Sequence, residues 1–523
     1  MPSSSPTPRI PTLTLTAAAL LAAVGISGQP CAADAPQSSR EWFQSGKDAI
    51  RRNQLHKPNT RKAKNVILFV GDGMGIATVT AARILDGQQR GIDGEFNRLS
   101  FEQLPYSALS VTASANQQTS DSAPTGTALV SGVKTNDGAI SVDQSIRREE
   151  PDAKTTADKS VLTILERAEQ RGMSTGIVTT ARVTHATPAV NYAHISERDW
   201  EADSDLPAGA TVKDIARQLL DFSYGNGIDV VLGGGRAYFL PATQPDPEHP
   251  TENGRRNDGR DLAREWTQKH KASAYVWNRQ QFDAIDASKT DHLLGLFQRS
   301  HMRYEADRAI DTAGEPSLAE MTAKAIEILK RNKKGFYLMV EAGRIDHGHH
   351  AGNAYRALTD TIALSAAVQK ALAMTNDKDT LIVVTADHSH TFTLSGYPSR
   401  GNPILGKAAI DGRPLRDRNG LPYTTLSYAN GPGVFVEGNR REFDGATERA
   451  IDSADAARGR RPNLANVDTT KPGYMQEAIV PLTSETHAGE DVPIYASGPH
   501  AYLFHGTLEQ NAVYHVMAEA LGF

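Results

Sequence analysis

Cysteine is almost absent: Cys31 is the only one in 523 residues, so a disulfide framework is excluded and stability falls to the core and to bound ligands. A basic excess is also missing. Fifty-six Lys and Arg against 61 Asp and Glu leave a formal net charge of -5, and no basic stripe marks a nucleic-acid-binding surface. The apolar run from Leu13 to Ile26 is too short to span a membrane as a mature helix. With Arg9 before it and Cys31-Ala32-Ala33 after it, the run reads as a secretory signal peptide over residues 1–33. Cleavage after Ala35 is the alternative, disfavoured by Pro36 just beyond the cut. Either cut removes Cys31, and Gly28-Gln29-Pro30 before it does not resemble a lipobox. A secreted or periplasmic protein without cysteine is expected. Neither Gly71-Asp72-Gly73-Met74-Gly75 nor Gly233-Gly234-Gly235 fits a dinucleotide or Walker loop, and there are no internal repeats.

What is present is a set of buried-strand patterns that end in metal-ligand chemistry. Phe336 to Val340 runs into Glu341 and Asp346-His347-Gly348-His349-His350, and Leu381 to Val384 runs into Asp387-His388. In an open α/β sheet the ligand crevice lies beyond the carboxyl ends of the strands, and carboxylate with imidazole is the mixture that holds a catalytic zinc. Each segment alone also reads as a solvated polar loop. A third strand, Asn65 to Val70, delivers Asp72 between glycines that let the backbone turn sharply.

Ser122 is the candidate nucleophile, in Thr119-Ser120-Asp121-Ser122-Ala123-Pro124. Pro124 suits the first turn of a helix, placing Ser122 at or near an N-cap where backbone N–H groups favour a phosphate dianion. The same Asp-Ser pair reads equally as an ordinary helix cap. No Gly-x-Ser-x-Gly elbow surrounds it, so a metal would have to activate the hydroxyl.

The periodicities predict strands near Val66–Val70, Leu109–Thr112, Thr175–Thr179, Asp229–Leu232, Phe336–Val340 and Leu381–Val384. Helices are expected near Lys159–Arg171, Val212–Asp221, Leu318–Arg331 and Ala354–Met374, after a short helical arm around Glu41–Arg52. The alternation implies a doubly wound three-layer α/β sandwich.

Asp72-Gly-Met-Gly, Asp121-Ser122-Ala-Pro-Thr-Gly-Thr, His185-Ala-Thr187-Pro, Glu341 with Asp346 and His350, Asp387-His388, and Thr486-His487-Ala-Gly-Glu-Asp491 follow one another in an order and spacing that resembles the alkaline phosphatases. The match runs from about Lys64 to the C-terminus and is nearest the animal-type branch. It implies an arm over residues 34–63, a catalytic domain over 64–523, and a crown-like insertion at about 395–480 that would sit at a homodimer interface. The part from Arg440 to Asn463 reads equally as a loose surface loop.

The resemblance also assigns roles. Asp346, His350 and His487 correspond to the ligands of one zinc, and Asp72, Asp387 and His388 to those of a second that also holds Ser122. Two such ions about 4 Å apart clamp the attacking and departing oxygens of an in-line displacement. Asp72, Thr187 and Glu341 resemble a magnesium site, with His185 beside the ligands as an imidazole that would help zinc compete, magnesium remaining the expected ion. Without the resemblance, His185 and Thr187 read as a plain loop before Pro188. Arg198 aligns with the arginine that grips the non-bridging phosphate oxygens and Asp121 with the carboxylate that orients it. His347 and His349 fall beside the ligands, where they would tune phosphate release and metal affinity. Glu248 has a counterpart in a calcium site of animal relatives, but Gln298 stands where a glutamate is expected, so calcium is not.

The implied activity is hydrolysis of a broad range of phosphate monoesters through a phosphoserine at alkaline pH. The alternatives are a phosphodiesterase or sulfatase of the same superfamily, or a non-catalytic metal- or phosphate-binding protein.

Overall fold

The computed structural model describes residues 37–433, 461 and 463–523. The leader expected over 1–33 lies outside them, as do residues 434–460 and 462 of the expected insertion.

Ten strands form one sheet, in the order Thr507–Glu509, Tyr106–Val111, Val492–Ser497, Thr380–Thr385, Asn65–Gly71, Phe336–Ala342, Ser174–Arg182, Val230–Gly234, His292–Leu296 and Ser273–Val276. Every pairing is parallel except the two made by Val492–Ser497, which runs against both neighbours. Alternate residues of the central strand enter opposite cores, as the period of two requires. Val66, Leu68 and Val70 face the layer of Ser122–Ser131, Ile164–Gln170, Ile215–Asp221 and Ala512–Leu521. Ile67 and Phe69 face that of Ile76–Gln89, Leu318–Leu329 and Ala354–Met374. Such side chains are wholly buried, each removing about 1.5–3 kcal/mol of apolar hydration cost. The three-layer α/β sandwich is the observed fold.

Two helix boundaries differ from the sequence reading. The expected Lys159–Arg171 helix is Ile164–Gln170, preceded by a separate Ala153–Lys159. Thr163 starts the second helix through a capping box with Glu166, and that local bond overrides the apolar periodicity upstream. Likewise Asp214 caps Ile215–Asp221, so the helix begins after Val212. Ser39–Leu55 forms the arm helix, with a Ser38–Glu41 capping box and no buried residue.

Four adjacent strands therefore send their carboxyl ends to one edge of the sheet: Thr380–Thr385, Asn65–Gly71, Phe336–Ala342 and Ser174–Arg182. Because Val492–Ser497 runs the other way, the residues that precede it reach the same edge. His487–Ala488 pairs antiparallel with Ser389–His390 there.

Candidate active site

Ser122 is the first residue of the Ser122–Ser131 helix, and Asp121 occupies the cap position without using its side chain as a cap. The Asp121 carboxylate instead accepts from Arg198 Nη1 at 2.5 Å, which decides against a plain cap. Burial would raise the Asp121 carboxyl, but Arg198 and His487 outweigh it and hold it below its usual range. Arg198 places its second Nη on His185 Nε2 at 2.8 Å. Clamped at both nitrogens, the guanidinium is fixed in direction, and its charge is reinforced by Asp121 against the cost of burial.

Ser122 Oγ lies 3.1 Å from His388 Nε2 and 3.5 Å from Asp72 Oδ1. His388 Nε2 is in turn 3.4 Å from both Asp72 Oδ1 and Asp387 Oδ2. Asp387 Oδ1 is engaged by the backbone N–H groups of Gly73 and His388, at 3.0 and 2.9 Å, which leaves Oδ2 buried without a partner. Gly73 has φ of +68°, and a Cβ there would strike His390 Nε2 at 2.3 Å, so only glycine lets the Asp72 turn close over the site.

Beside this set, Asp346 Oδ1 faces three imidazoles: His390 Nε2 at 2.8 Å, His350 Nε2 at 3.2 Å and His487 Nε2 at 3.4 Å. Asp346 and His350 sit one turn apart on the Arg344–His350 helix, which sets both on one face. The other ring nitrogens of His350 and His487 are taken by the carbonyls of Glu485, at 2.5 Å, and Ser120, at 2.8 Å. Those bonds leave both Nε2 atoms as acceptors, the state a metal ligand requires. His388 and His487 stack at 3.6 Å.

The third group lies on the other side of Asp72. Thr187 Oγ1 is 3.4 Å from Asp72 Oδ2, and Glu341 accepts from Thr179 Oγ1. Glu341 Oε1 and His185 Nδ1 are buried with no partner in the protein.

Electrostatics point to missing positive charge. Burial, with Asp387 and Asp346 close by, pushes the Asp72 carboxyl well above its usual range. Burial and Asp387 raise Glu341 to about 7. Desolvation drives His388 well below an ordinary histidine. Buried carboxylates facing one another with unpaired oxygens are expensive unless a cation joins them. Ligand atoms of Asp346, His350, His390 and His487, of Asp72, Asp346 and His388, and of Asp72, His185 and Glu341 converge within 4.8 Å in each set, so the donors fit metal ions.

The structure brings together Ser122, Asp121, Arg198, Asp72, Asp346, His350, Asp387, His388, His487, Glu341, Thr187 and His185. His347 lies at the rim, bonded to Arg344 rather than to a member of these sets. His349 points away: it is wholly buried between Thr78 Oγ1 at 2.9 Å and Tyr428 OH at 2.8 Å, a satisfied core histidine. His390 and Glu485 escaped the sequence reading. Glu485 accepts from His390 Nδ1 at 2.5 Å, and together with Asp346 it raises the imidazole to about 10 despite burial. His390 thus has Glu485 at Nδ1 and Asp346 Oδ1 2.8 Å from Nε2, and braces Asp346. The signal was the spacing: each lies two residues from a candidate ligand, His388 and His487, where an extended chain returns to the same side.

The sequence profile of the alkaline phosphatases matches residues 63–523. The chain belongs to the alkaline phosphatase family. It is 44% identical to alkaline phosphatase of Gadus morhua over 493 residues, 93% of this chain and 97% of that one. Identity to the tissue-nonspecific isozyme of Mus musculus is 45% over 498 residues, covering 93% and 89%. Among solved structures, alkaline phosphatase of Thermus thermophilus superposes with a TM-score of 0.62 at 26% identity, covering 90% of this chain and 93% of its own. That of the Antarctic bacterium TAB5 gives 0.59 at 21% identity, covering 89% and 99%, and so speaks for the fold alone. Membership of this family makes the protein a metal-dependent phosphate monoester hydrolase.

Proposed function

We propose that Ser122 is the nucleophile of a two-step phosphoryl transfer. In the first step its Oγ forms a bond to phosphorus while the ester P–O bond breaks and the alcohol leaves. In the second, water breaks the phosphoseryl bond and inorganic phosphate is released. The observation that carries this reading is the position of Ser122, a residue 2% exposed whose Oγ lies against Asp72 and His388, with Asp346, His350 and His487 alongside.

Arg198 holds the non-bridging oxygens through the three N–H groups left after Asp121 and His185 take two of its five. Asp346, His350 and His487 would hold one zinc, Asp72, Asp387 and His388 a second, and Asp72, Glu341 and Thr187 a magnesium. Those ions would supply Lewis-acid activation of the attacking oxygen and charge stabilisation of the departing one. The buried lone oxygens of Asp387 and Glu341 support these ligand sets.

A homodimer fits the apolar side chains left outside the core on and just after the small sheet of Phe392–Leu394, Leu426–Gly431 and Glu477–Pro481: Ile479 in its last strand is 83% exposed, and Tyr397 beyond Leu394 is 88% exposed. No helix among the described residues is long and apolar enough to cross a membrane. A secreted or periplasmic location rests on the leader-like residues 1–33, and the division into arm, catalytic domain and crown-like insertion on the family resemblance.

Metal analysis with a panel of monoesters, diesters and sulfate esters tests the proposal. The expected result is zinc and magnesium in the purified protein with turnover confined largely to monoesters. Chelation should abolish activity, zinc should restore part of it, and zinc with magnesium the rest. Full activity with magnesium alone would reject the metal assignment, and preferred turnover of diesters or sulfate esters the substrate assignment.

A further inference from the structure

The strand Ser174–Arg182 contributes no residue to the ligand sets, yet two of its hydroxyls reach toward them. Thr179 and Thr180 follow one another near its carboxyl end, and Thr179 stands directly opposite Glu341 in the parallel pairing with Phe336–Ala342. Successive residues of a strand point to opposite faces, so the pair addresses two different parts of the neighbouring segment. Both side chains are buried, Thr179 completely. Thr179 has one hydrogen to give, and its direction is fixed. Its Oγ1 accepts the backbone N–H of Ala181 at 2.7 Å and donates to Glu341 Oε2. The bond holds the carboxylate against rotation and leaves Oε1 as its free oxygen, buried without a partner in the protein, on the carboxylate that converges with Asp72 and His185.

Thr180 acts on the segment that follows Glu341. The helix Arg344–His350, which carries Asp346 and His350, has Gly343 at its cap position and so no capping side chain of its own. The first N–H groups of a helix have no partner within it. Thr180 Oγ1 accepts the Arg344 N–H at 3.2 Å and supplies that partner from the neighbouring strand. The close approach needs glycine at 343, because a Cβ there would lie 2.8 Å from Ala181 Cβ and 3.0 Å from Glu341 Oε1.

We propose that Thr179 and Thr180 are positioning residues for two different metal groups: Thr179 aims Glu341 at the site it would share with Asp72 and Thr187, and Thr180 fixes the start of the helix that presents Asp346 and His350. Neither touches substrate or the reacting atoms. Hydrogen-bond partners that orient a ligand set how tightly a site holds its ion, and losing one costs about 10- to 100-fold in affinity. The inference rests on the metal assignment above.

The test reads zinc and magnesium bound per chain at equilibrium with a competing chelator, so it does not depend on turnover. Replacing Thr by Val keeps the branched shape and removes the hydroxyl, while Ser keeps the hydroxyl. Thr179→Val should raise the dissociation constant of magnesium about tenfold or more and move those of zinc less than about threefold. Thr180→Val should do the reverse, weakening the zinc held by Asp346 and His350 about fivefold and leaving magnesium within about twofold, since a bond to a backbone N–H is worth less than one to a carboxylate. Thr179→Ser and Thr180→Ser should both stay within about twofold of the parent. Thr179→Ala supplies the same comparison if Thr179→Val folds poorly. Metal constants that stay at the parent values in the Val variants, or that fall together for both metals in each, would overturn the assignment of separate positioning roles. A parent chain that binds no zinc or no magnesium would instead overturn the metal assignment itself.

Discussion

Arg198 offers the sharpest test of how binding and chemistry divide in this site. Its guanidinium is held at both ends, by Asp121 at 2.5 Å and His185 at 2.8 Å, so its remaining N–H groups are pre-organised before substrate arrives. The phosphoryl oxygens it would grip carry negative charge in the ground state, in the transition state and in the product. Removing it should therefore weaken all three similarly. A hydrogen bond to a charged group contributes about 1.5–3 kcal/mol, and water would replace part of two such bonds, so the net loss is about 3 kcal/mol. Arg198→Ala should then raise the inhibition constant of inorganic phosphate roughly 100-fold and KM in parallel, with kcat falling less than about tenfold. Arg198→Lys keeps the charge but loses the fork, and should fall between the two. Steady-state kinetics with phosphate as competitive inhibitor measures all of this. An unchanged phosphate inhibition constant in Arg198→Ala would refute the assignment, and a kcat loss far exceeding the KM change would show that the arginine acts on the chemical step.

Three further outcomes follow from other residues. Ser122→Ala should lose most turnover while keeping its metal content, and acid quenching of the parent enzyme should trap phosphate on Ser122; label on another residue would sink the nucleophile assignment. Excess zinc should inhibit the parent by displacing magnesium beside His185, whose Nδ1 is buried and unpartnered, and His185→Asp should relieve that inhibition and strengthen magnesium dependence, since oxygen ligands suit the harder ion; identical zinc and magnesium titrations would make His185 a spectator. Glu315 is raised to about 8 by burial and by Asp311, against 4.5 in the open chain. The folded state thus binds a proton that the unfolded state releases, so stability is fully present below pH 4.5 and falls as pH rises toward 8. Glu315→Gln should raise Tm at pH 9 by removing a penalty on the order of 3–5 kcal/mol, and should change it little at pH 4; equal Tm shifts at both pH values would contradict the buried-carboxyl account.

The parts legible in sequence were those where a strand of apolar residues stops at a polar group. Asp72, Glu341 and Asp387 follow from that pattern, because buried parallel strands must be apolar until they leave the sheet. The helix beginning at Ile164 was misplaced because a single Thr163–Glu166 capping box outweighs the apolar Val161 and Leu162 just upstream. His349 was read as lying beside the candidate ligands: three histidines of one helix, His347, His349 and His350, point in different directions, and packing against Tyr428 and Phe392 is what marks His349 as a core side chain. His390 and Glu485 were hidden for a different reason, since they meet each other across 95 residues of sequence and His390 meets Asp346 from a separate helix.

His487 exposes what a linear pattern cannot carry. Nearly a hundred residues separate it from His388, yet the two rings stack at 3.6 Å. The cause is the direction of one strand: Val492–Ser497 is as apolar as its neighbours but antiparallel to them, and apolar periodicity is the same read either way. Reversal brings the start of that strand, rather than its end, to the edge where the other candidate ligands gather, and the Ser389–His390 with His487–Ala488 ladder fastens the join. The described residues between these two segments pack back onto the domain at several places: Phe392, Ile404, Leu426 and Tyr428 share a core with the Ile76–Gln89 helix, and Arg400 pairs with Asp93 at 2.7 Å. The stretch is therefore not independent of the site: Tyr428 OH holds His349 Nδ1 at 2.8 Å and the Glu485 carbonyl accepts from His350 Nδ1 at 2.5 Å, so these contacts and the short ladder together orient the candidate ligands on the helix after Glu341.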